Sequence, residues 1–559
     1  MPRCSTSGHW FRRVWIQGMA MIVMIGVGSI LPMQAVASMV EGSPADTLSQ
    51  AAEQAQLLME HSYLEPVEYE RDNGTPSRAR ELAEHLRLEF IEELDALGLA
   101  DPSSDYVVGH RVGMRVKAGL EDEALDVAQE CGASAWWCAE LTGFALHVKG
   151  EFAAADSAFR IALDRMPTGV RCGERGVGNI ATMLTGSTAR AYGRLDCAER
   201  EALEARFWWL ADPLHLTEAN ERHLEHRARL VGLRLHHQQY LLTDPAGWGC
   251  GDRHWNGVVR HGWPPRLWSH FAPWVTGSDL PGQAFSPSMD AMEDPLGVDP
   301  GDWDLDPGGV GERYDLPYGS MREMEHQVGF FLRGDSAVVV AATEGVADRA
   351  STESVRQVGV VLSRNPEDPP VIERVRSGSA PYRFRMTAPA DRHLVSVELL
   401  TDSGAARARF GGGLSEYGAN GLGLSNLLFF DWSETQAEEL DSIEPYVLGT
   451  TRLTMEDTVG VYWEVYGVNE DDTLGISLRV VDESPGFLRR LGQTLRLVGP
   501  AEGVTLSWDA QSGPDEDVHL GTSLQFGLEG LDPADYRLEL TVERDGEAVT
   551  EVRRFSVGS

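Results

Sequence analysis

Gly143-Phe144-Ala145-Leu146-His147-Val148-Lys149-Gly150-Glu151-Phe152-Ala153-Ala154-Ala155-Asp156-Ser157-Ala158-Phe159-Arg160-Ile161-Ala162-Leu163-Asp164-Arg165-Met166-Pro167 is the stretch that decides how the first half of the chain folds. Its spacing predicts two antiparallel helices in close contact. Small residues at Gly143, Ala155 and Ala162 permit the approach, and Gly150 supplies the turn. Phe152 and Phe159 fill the seam, and Pro167 ends the second helix because it has no amide proton to donate. An earlier, degenerate copy is marked by Gly119 and Ala124, 31 residues before Gly150 and Ala155. From about Thr47 to Tyr240 apolar residues recur three and four apart, the helical period. In Ser77–Leu99, Leu82, Leu86, Phe90, Leu94 and Leu97 form one stripe. Asp101-Pro102-Ser103-Ser104 then breaks that helix and caps the next.

This register resembles a tetratricopeptide repeat, with irregular flanking helices at 47–98 and 173–205. Such arrays stack hairpins, because one hairpin cannot bury its own apolar face. The resemblance implies a peptide-binding concave face carrying Trp137, Glu140, Phe144 and His147. The competing reading is that these aromatics are core.

A distinct module is expected over 199–275. It opens with Phe207-Trp208, continues through Asp212-Pro213 and Thr217 to Asn220-Glu221, and leads into a helix that Thr217 can cap. After Asp244-Pro245 come Gly247-Trp248-Gly249-Cys250-Gly251-Asp252-Arg253 and Val258-Val259-Arg260-His261-Gly262. This order resembles the GWxTD-domain proteins, a family of exported bacterial proteins without an established activity. Their pattern is an FW-x-x-x-DP-x-x-x-T-x-x-NE segment, a G-W-x-T-D-R-G turn, and a strand ending in R-Y-G-x-P. The first segment fits. The turn departs, with one inserted residue and Cys250 near the Thr position. The resemblance implies an architecture and a compartment, not a mechanism. Trp248 with Asp252 and Arg253 could form an aromatic binding platform, or Trp248 could lock the turn onto the helix bearing Phe207 and Trp208.

Past an acidic Pro/Gly/Asp-rich loop at 276–320 the period becomes two. Candidate strands surround the Arg333-Gly334-Asp335-Ser336 turn and include Leu394, Val397 and Leu399. Val459, Val461, Trp463 and Val465 alternate with polar residues, and Leu474, Ile476, Leu478 and Val480 are expected to pair with them as a hairpin. Short strands without intervening helices indicate antiparallel sandwiches, one at 321–485 and another at 486–559. Asp545-Gly546 marks a tight turn in the second.

The 559 residues carry 86 acidic and 48 basic side chains, a formal charge of −38. That excludes the phosphate-neutralising grip on which sequence-independent nucleic-acid binding depends, and equally an electrostatic hold on anionic lipid. Arg3, Arg12 and Arg13, an apolar run to about Met33, and Ala35-Val36-Ala37 before Ser38 read as a secretory signal over 1–37. An uncleaved anchor is the alternative; no later stretch is apolar enough to cross a membrane. Export to the periplasm, cell envelope or extracellular space permits disulfides among Cys131, Cys138, Cys172, Cys197 and Cys250, with connectivity open.

Half of the histidines lie between 215 and 270. His223 and His226 are three apart on a probable helix and could form half of a zinc site, although the spacing is neither H-E-x-x-H nor H-x-x-E-H. The alternative is a solvated Arg-rich face. Asp302, Asp304 and Asp306 begin like a calcium loop but lack its Gly and Glu. Ser415 lies outside any G-x-S-x-G elbow. The expectation is therefore multidomain, α then β: a signal at 1–37, a tetratricopeptide-like solenoid at 38–198, the small mixed module at 199–275, the loop, and two sandwiches. The expected role is a non-catalytic interaction or scaffold protein with partners in the cell envelope, no cofactor, no assigned metal ligand, no nucleic acid and no stable membrane insertion. The alternative is a metal-dependent hydrolase using the 215–270 histidines.

Overall fold

The computed structural model describes residues 78–172, 180–184, 186–240, 257–262, 283–299, 314–346, 354–376, 378–414, 421–469, 472–483, 505–511, 519–528 and 531–558. An N-terminal helical region is followed by β-rich sheets, and the chain divides into two compact units. Of the described residues, those within 78–213, 217–286 and 314–317 belong to the helical unit, and those within 214–216, 287–299 and 318–558 to the β unit. The expected signal at 1–37, Asp302, Asp304, Asp306 and Ser415 lie outside the described residues. Among the described residues no helix is long and apolar enough to cross a membrane.

The helical unit begins with α1 (Arg78–Ala100), α2 (Asp105–Lys117), α3 (Glu121–Gln129), α4 (Ala135–Val148) and α5 (Phe152–Arg165). Ser104 caps α2, its Oγ accepting from the Val107 amide at 3.3 Å. Gly119 and Gly150, at φ +72° and +77°, make the turns α2–α3 and α4–α5, a conformation costly to any residue with a Cβ. A Cβ at Gly143 would stand 2.7 Å from the Phe159 ring, so glycine is what lets α4 and α5 approach. Two further helices are α6 (Cys197–Ala211) and α7 (Glu221–Tyr240). Asp196 and Glu199 form a reciprocal capping box at the start of α6. The cap of α7 is Asn220, whose Oδ1 accepts from the His223 amide at 2.8 Å; the Thr217 hydroxyl donates instead to the Ala219 carbonyl. Disulfides join Cys131 to Cys138 and Cys172 to Cys197.

The boundary expected at 198/199 is not a packing boundary. Leu224, Val231 and Leu235 of α7 belong to the same core as Val108, Val112, Trp137, Leu141 and Phe159. The apolar face of the hairpins is covered by α7, and that burial fuses the two expected domains. Residues 257–261 are helical, where the family pattern implied a strand.

The β unit holds sixteen strands among its described residues: β1 (Ser320–Arg333), β2 (Ser336–Val346), β3 (Val355–Ser363), β4 (Val371–Val375), β5 (Tyr382–Pro389), β6 (His393–Thr401), β7 (Gly404–Gly412), β8 (Gly423–Leu424), β9 (Leu428–Asp431), β10 (Arg452–Thr454), β11 (Val459–Tyr466), β12 (Thr473–Asp482), β13 (Thr505–Gln511), β14 (His519–Phe526), β15 (Ala534–Arg544) and β16 (Glu547–Gly558). Seven strands form one sheet in the order β4-β3-β6-β7-β1-β2-β5, and its edges β4 and β5 lie against each other, so it is nearly closed and barrel-like. Its interior is filled by alternating residues such as Val328, Phe330, Val339, Val358, Val360, Phe384, Val395 and Val397.

The expected β11–β12 hairpin does not form. β11 pairs with β14, β8 and β9, whereas β12 pairs with β13 and β15 in the five-stranded sheet β10-β16-β15-β12-β13. Val461, Trp463 and Val465 meet Ile476, Leu478 and Leu540 across the gap between these sheets. Side-by-side pairing would have left that contact unmade. The expected break at 485/486 is corrected too: strands from 505 onward complete both sheets, so 486–559 is no independent domain. The break between the seven-stranded sheet and the paired sheets falls instead between β7 and β8. The Asp545-Gly546 turn connects β15 and β16 as expected, with φ of 55° and 84°.

Candidate functional site

A buried polar cluster of the helical unit is built on α7. Burial runs almost all round this helix, and Arg222, His226 and Arg227 are 0–1% exposed. The solvated Arg-rich face expected from sequence is therefore an interior one. On one side Arg227 forms an ion pair with Glu140 of α4 and donates to the Phe159 carbonyl, and its guanidinium lies 4.8 Å from the Phe159 ring centroid. Burial pushes the Glu140 carboxyl up, against the pull of Arg227. Arg234 lies over both Trp136 and Trp137, 4.6 and 4.8 Å from the ring centroids. Near the same contact, Leu235 packs so closely on α2 that a Cβ at Gly109 would stand 2.8 Å from it.

All four residues expected to line an open peptide groove are thus in or against this contact. Trp137 and Glu140 are buried, and the Trp137 indole donates to the Asp105 carbonyl at 2.8 Å. Phe144 packs against the core. His147 Nε2 lies 3.3 Å from Glu225 of α7, and Glu225 in turn accepts from Arg229 at 2.6 Å. A helix of the same chain, α7, packs against Trp137, Glu140 and His147. The expectation that these side chains stand open to a partner is corrected on that ground.

The other side of α7 faces α6. The His223 ring stacks on the Trp208 indole at 4.7 Å and 18°, and the His226 ring tilts against it at 4.6 Å. Arg222 reaches over Trp208 and over Tyr314, 5.6 Å from each centroid. Neither ring nitrogen of His226 has a hydrogen-bond partner among the described residues. Burial, then the neighbouring Arg227 and Arg222, pushes His223 down to about 3, and His226 is likewise held well below its ordinary value. His147 is lowered by burial, partly opposed by Glu225. The His223 and His226 imidazoles share one direction, as the spacing implied, but meet an indole there. Among the described residues the one set of three metal-capable side chains within mutual reach is Cys172, Cys197 and Glu201, and its two sulfurs are joined in a disulfide. Trp248, Asp252 and Arg253 lie outside the described residues.

Two buried carboxylates organise the β unit. Glu398 accepts from the His215 and Leu216 amides at 3.1 and 2.9 Å, from the Ser396 hydroxyl at 2.5 Å and from Arg409 at 3.2 Å. Glu464 accepts from both terminal nitrogens of Arg333 at 2.7 and 2.8 Å and from the hydroxyls of Tyr462 and Tyr466 at 2.9 and 2.8 Å. That clasp fixes the tip of the β1–β2 hairpin to β11. Sequence reasoning missed Arg227, Arg222, Glu398 and Glu464. Gly109 and Gly113, four apart on α2, were a legible sign that another helix approaches there.

No family model matches the chain, and no curated protein matches it. Among solved structures, red sea bream transglutaminase is similar at a TM-score of 0.14 and 11% identity, over 43% of this chain and 32% of that one. The chain therefore spans about a third of the length of that enzyme. A likeness of that size carries no argument about fold or activity.

Proposed function

We propose that this is a non-catalytic exported interaction or scaffold protein of GWxTD-like organisation, whose helical unit recognises a helical protein segment. In this reading α2–α3 and α4–α5 are tetratricopeptide-like hairpins of a short solenoid, and the sheets beyond β7 form a sandwich. One observation carries it: the face made by α2, α4 and α5 holds a buried, Arg-rich helix. Leu224, Val231 and Leu235 fill its apolar part, and Arg227 meets Glu140. This is helix-in-groove recognition, here with the groove and its occupant in one chain. The Cys131–Cys138 and Cys172–Cys197 disulfides support an oxidising compartment outside the cytoplasm.

Full-length protein carrying a photocrosslinker at exposed Ile161 of α5, expressed in its own cell envelope, tests the reading. The expected result is one or a few crosslinked envelope proteins, lost when the helical core is disrupted. Turnover of a substrate by pure protein, abolished by one side-chain replacement, would refute it. Mass spectrometry is expected to find Ser38 as the first residue of the mature chain.

A further inference from the structure

The α2–α4–α5 face is closed by a helix whose opposite side carries two imidazoles among guanidinium groups. The titratable groups around them are Glu221, Arg222, Glu225, Arg227 and Arg229 on α7, Glu140 and His147 on α4, and Tyr314. Glu140 is committed to Arg227 and Glu225 to Arg229 and His147. The influences acting on His226 besides burial come from Arg222, His223, Arg229 and Arg227, all of them cations or potential cations. A proton on either imidazole of the Trp208 stack would therefore add positive charge to a buried site where guanidinium groups already lower both histidines.

We propose that protonation of His223 and His226 releases α7 from the α2–α4–α5 face, so that this face is an acid-opened interaction surface. The proposal rests on the recognition reading above and supplies its regulation. It also accounts for a recognition face built around Trp137 and Glu140 being covered at neutral pH. α2–α5 are joined by short glycine turns and pack on one another locally, whereas α7 reaches them from about sixty residues away in sequence. Loss of α7 can thus precede loss of the hairpins. Histidines lowered in the docked state bind fewer protons there than when released. Docking is therefore fully supported above the ordinary value of 6.5 and weakens as pH falls below it. The lowered Glu225 acts in the same direction at lower pH, and the raised Glu140 opposes it.

Hydrogen exchange of the full chain, at about pH 7.5 and about pH 5 with labelling times matched for intrinsic rate, tests this. Peptides spanning α7 are expected to lose protection about tenfold or more at the lower pH, while those of α4, α5, β15 and β16 keep theirs. In the His223→Phe/His226→Phe double variant, which keeps rings against Trp208 but removes the titration, the loss is expected to shrink to about twofold. Equal protection of α7 at both pH values overturns the proposal, as does an undiminished loss in the double variant. Should that variant fail to fold, the wild-type slope decides: opening that takes up about one proton or more between pH 5 and 6.5 supports release, and a flat slope overturns it. Exchange is read without any partner, so this test can fail while envelope crosslinking succeeds, and the reverse.

Discussion

The helical unit and the β unit both bury charge, but at different places. In the helical unit the ionisable groups run through the centre, on a helix that touches α2, α4, α5 and α6. In the β unit each buried carboxylate sits at a seam, Glu398 against residues 214–216 and Glu464 between the β1–β2 tip and β11. The interior of the seven-stranded sheet and the gap between the two smaller sheets are left to aliphatic, Met and aromatic side chains. The seam carboxylates are saturated with donors: Glu464 alone takes two guanidinium nitrogens and two phenols. In the helical unit, neither nitrogen of His226 and only one Glu140 oxygen has a hydrogen-bond partner among the described residues. A saturated network rigidifies and fixes geometry; a partly matched one is costlier to keep buried.

Removing one partner of the central pair should give the largest effect. Arg227→Met leaves Glu140 buried and uncompensated, and is expected to cost about 3–5 kcal/mol in urea unfolding followed by helical circular dichroism. Adding Glu140→Leu should restore most of that. A loss below about 1 kcal/mol for the single variant would erase the contrast between the units. At the seam, Glu464→Gln should cost about 2–3 kcal/mol, read from the tryptophan fluorescence transition, because charge-assisted bonds from Arg333 are lost. Gly143→Ala forces the new methyl against Phe159 and is expected to lower helical stability by about 1–3 kcal/mol. Gly546→Ala, at φ +84°, should cost about 1–2 kcal/mol and act on the β transition alone. The smallest change is expected at an exposed pair: Asp402→Asn breaks a contact with Arg356 that is 2.6 Å long but solvated, and should move stability by less than about 0.5 kcal/mol. An effect there as large as that of Glu464→Gln would mean that burial does not rank these contacts.

Periodicity determined element type and local turns. The α4–α5 hairpin, the caps at Ser104, the β1–β2 turn and the Asp545-Gly546 turn are read from residues close together in the chain, and their physics is local: a φ above zero, a missing amide proton, a capping oxygen. Partner choice was different. Val459–Val465 and Leu474–Val480 each look like one half of a hairpin, yet they lie in facing sheets, because alternation shows which face is buried and not which strand lies beside it. The arginines and histidines of α7 look solvated in sequence because charged residues are seldom buried unless paired. Their partners, Glu140 and Trp208, are 87 and 18 residues away from Arg227 and His226 respectively. Only tertiary structure brings such groups together, and with them it decided that α7 packs on α2, α4 and α5.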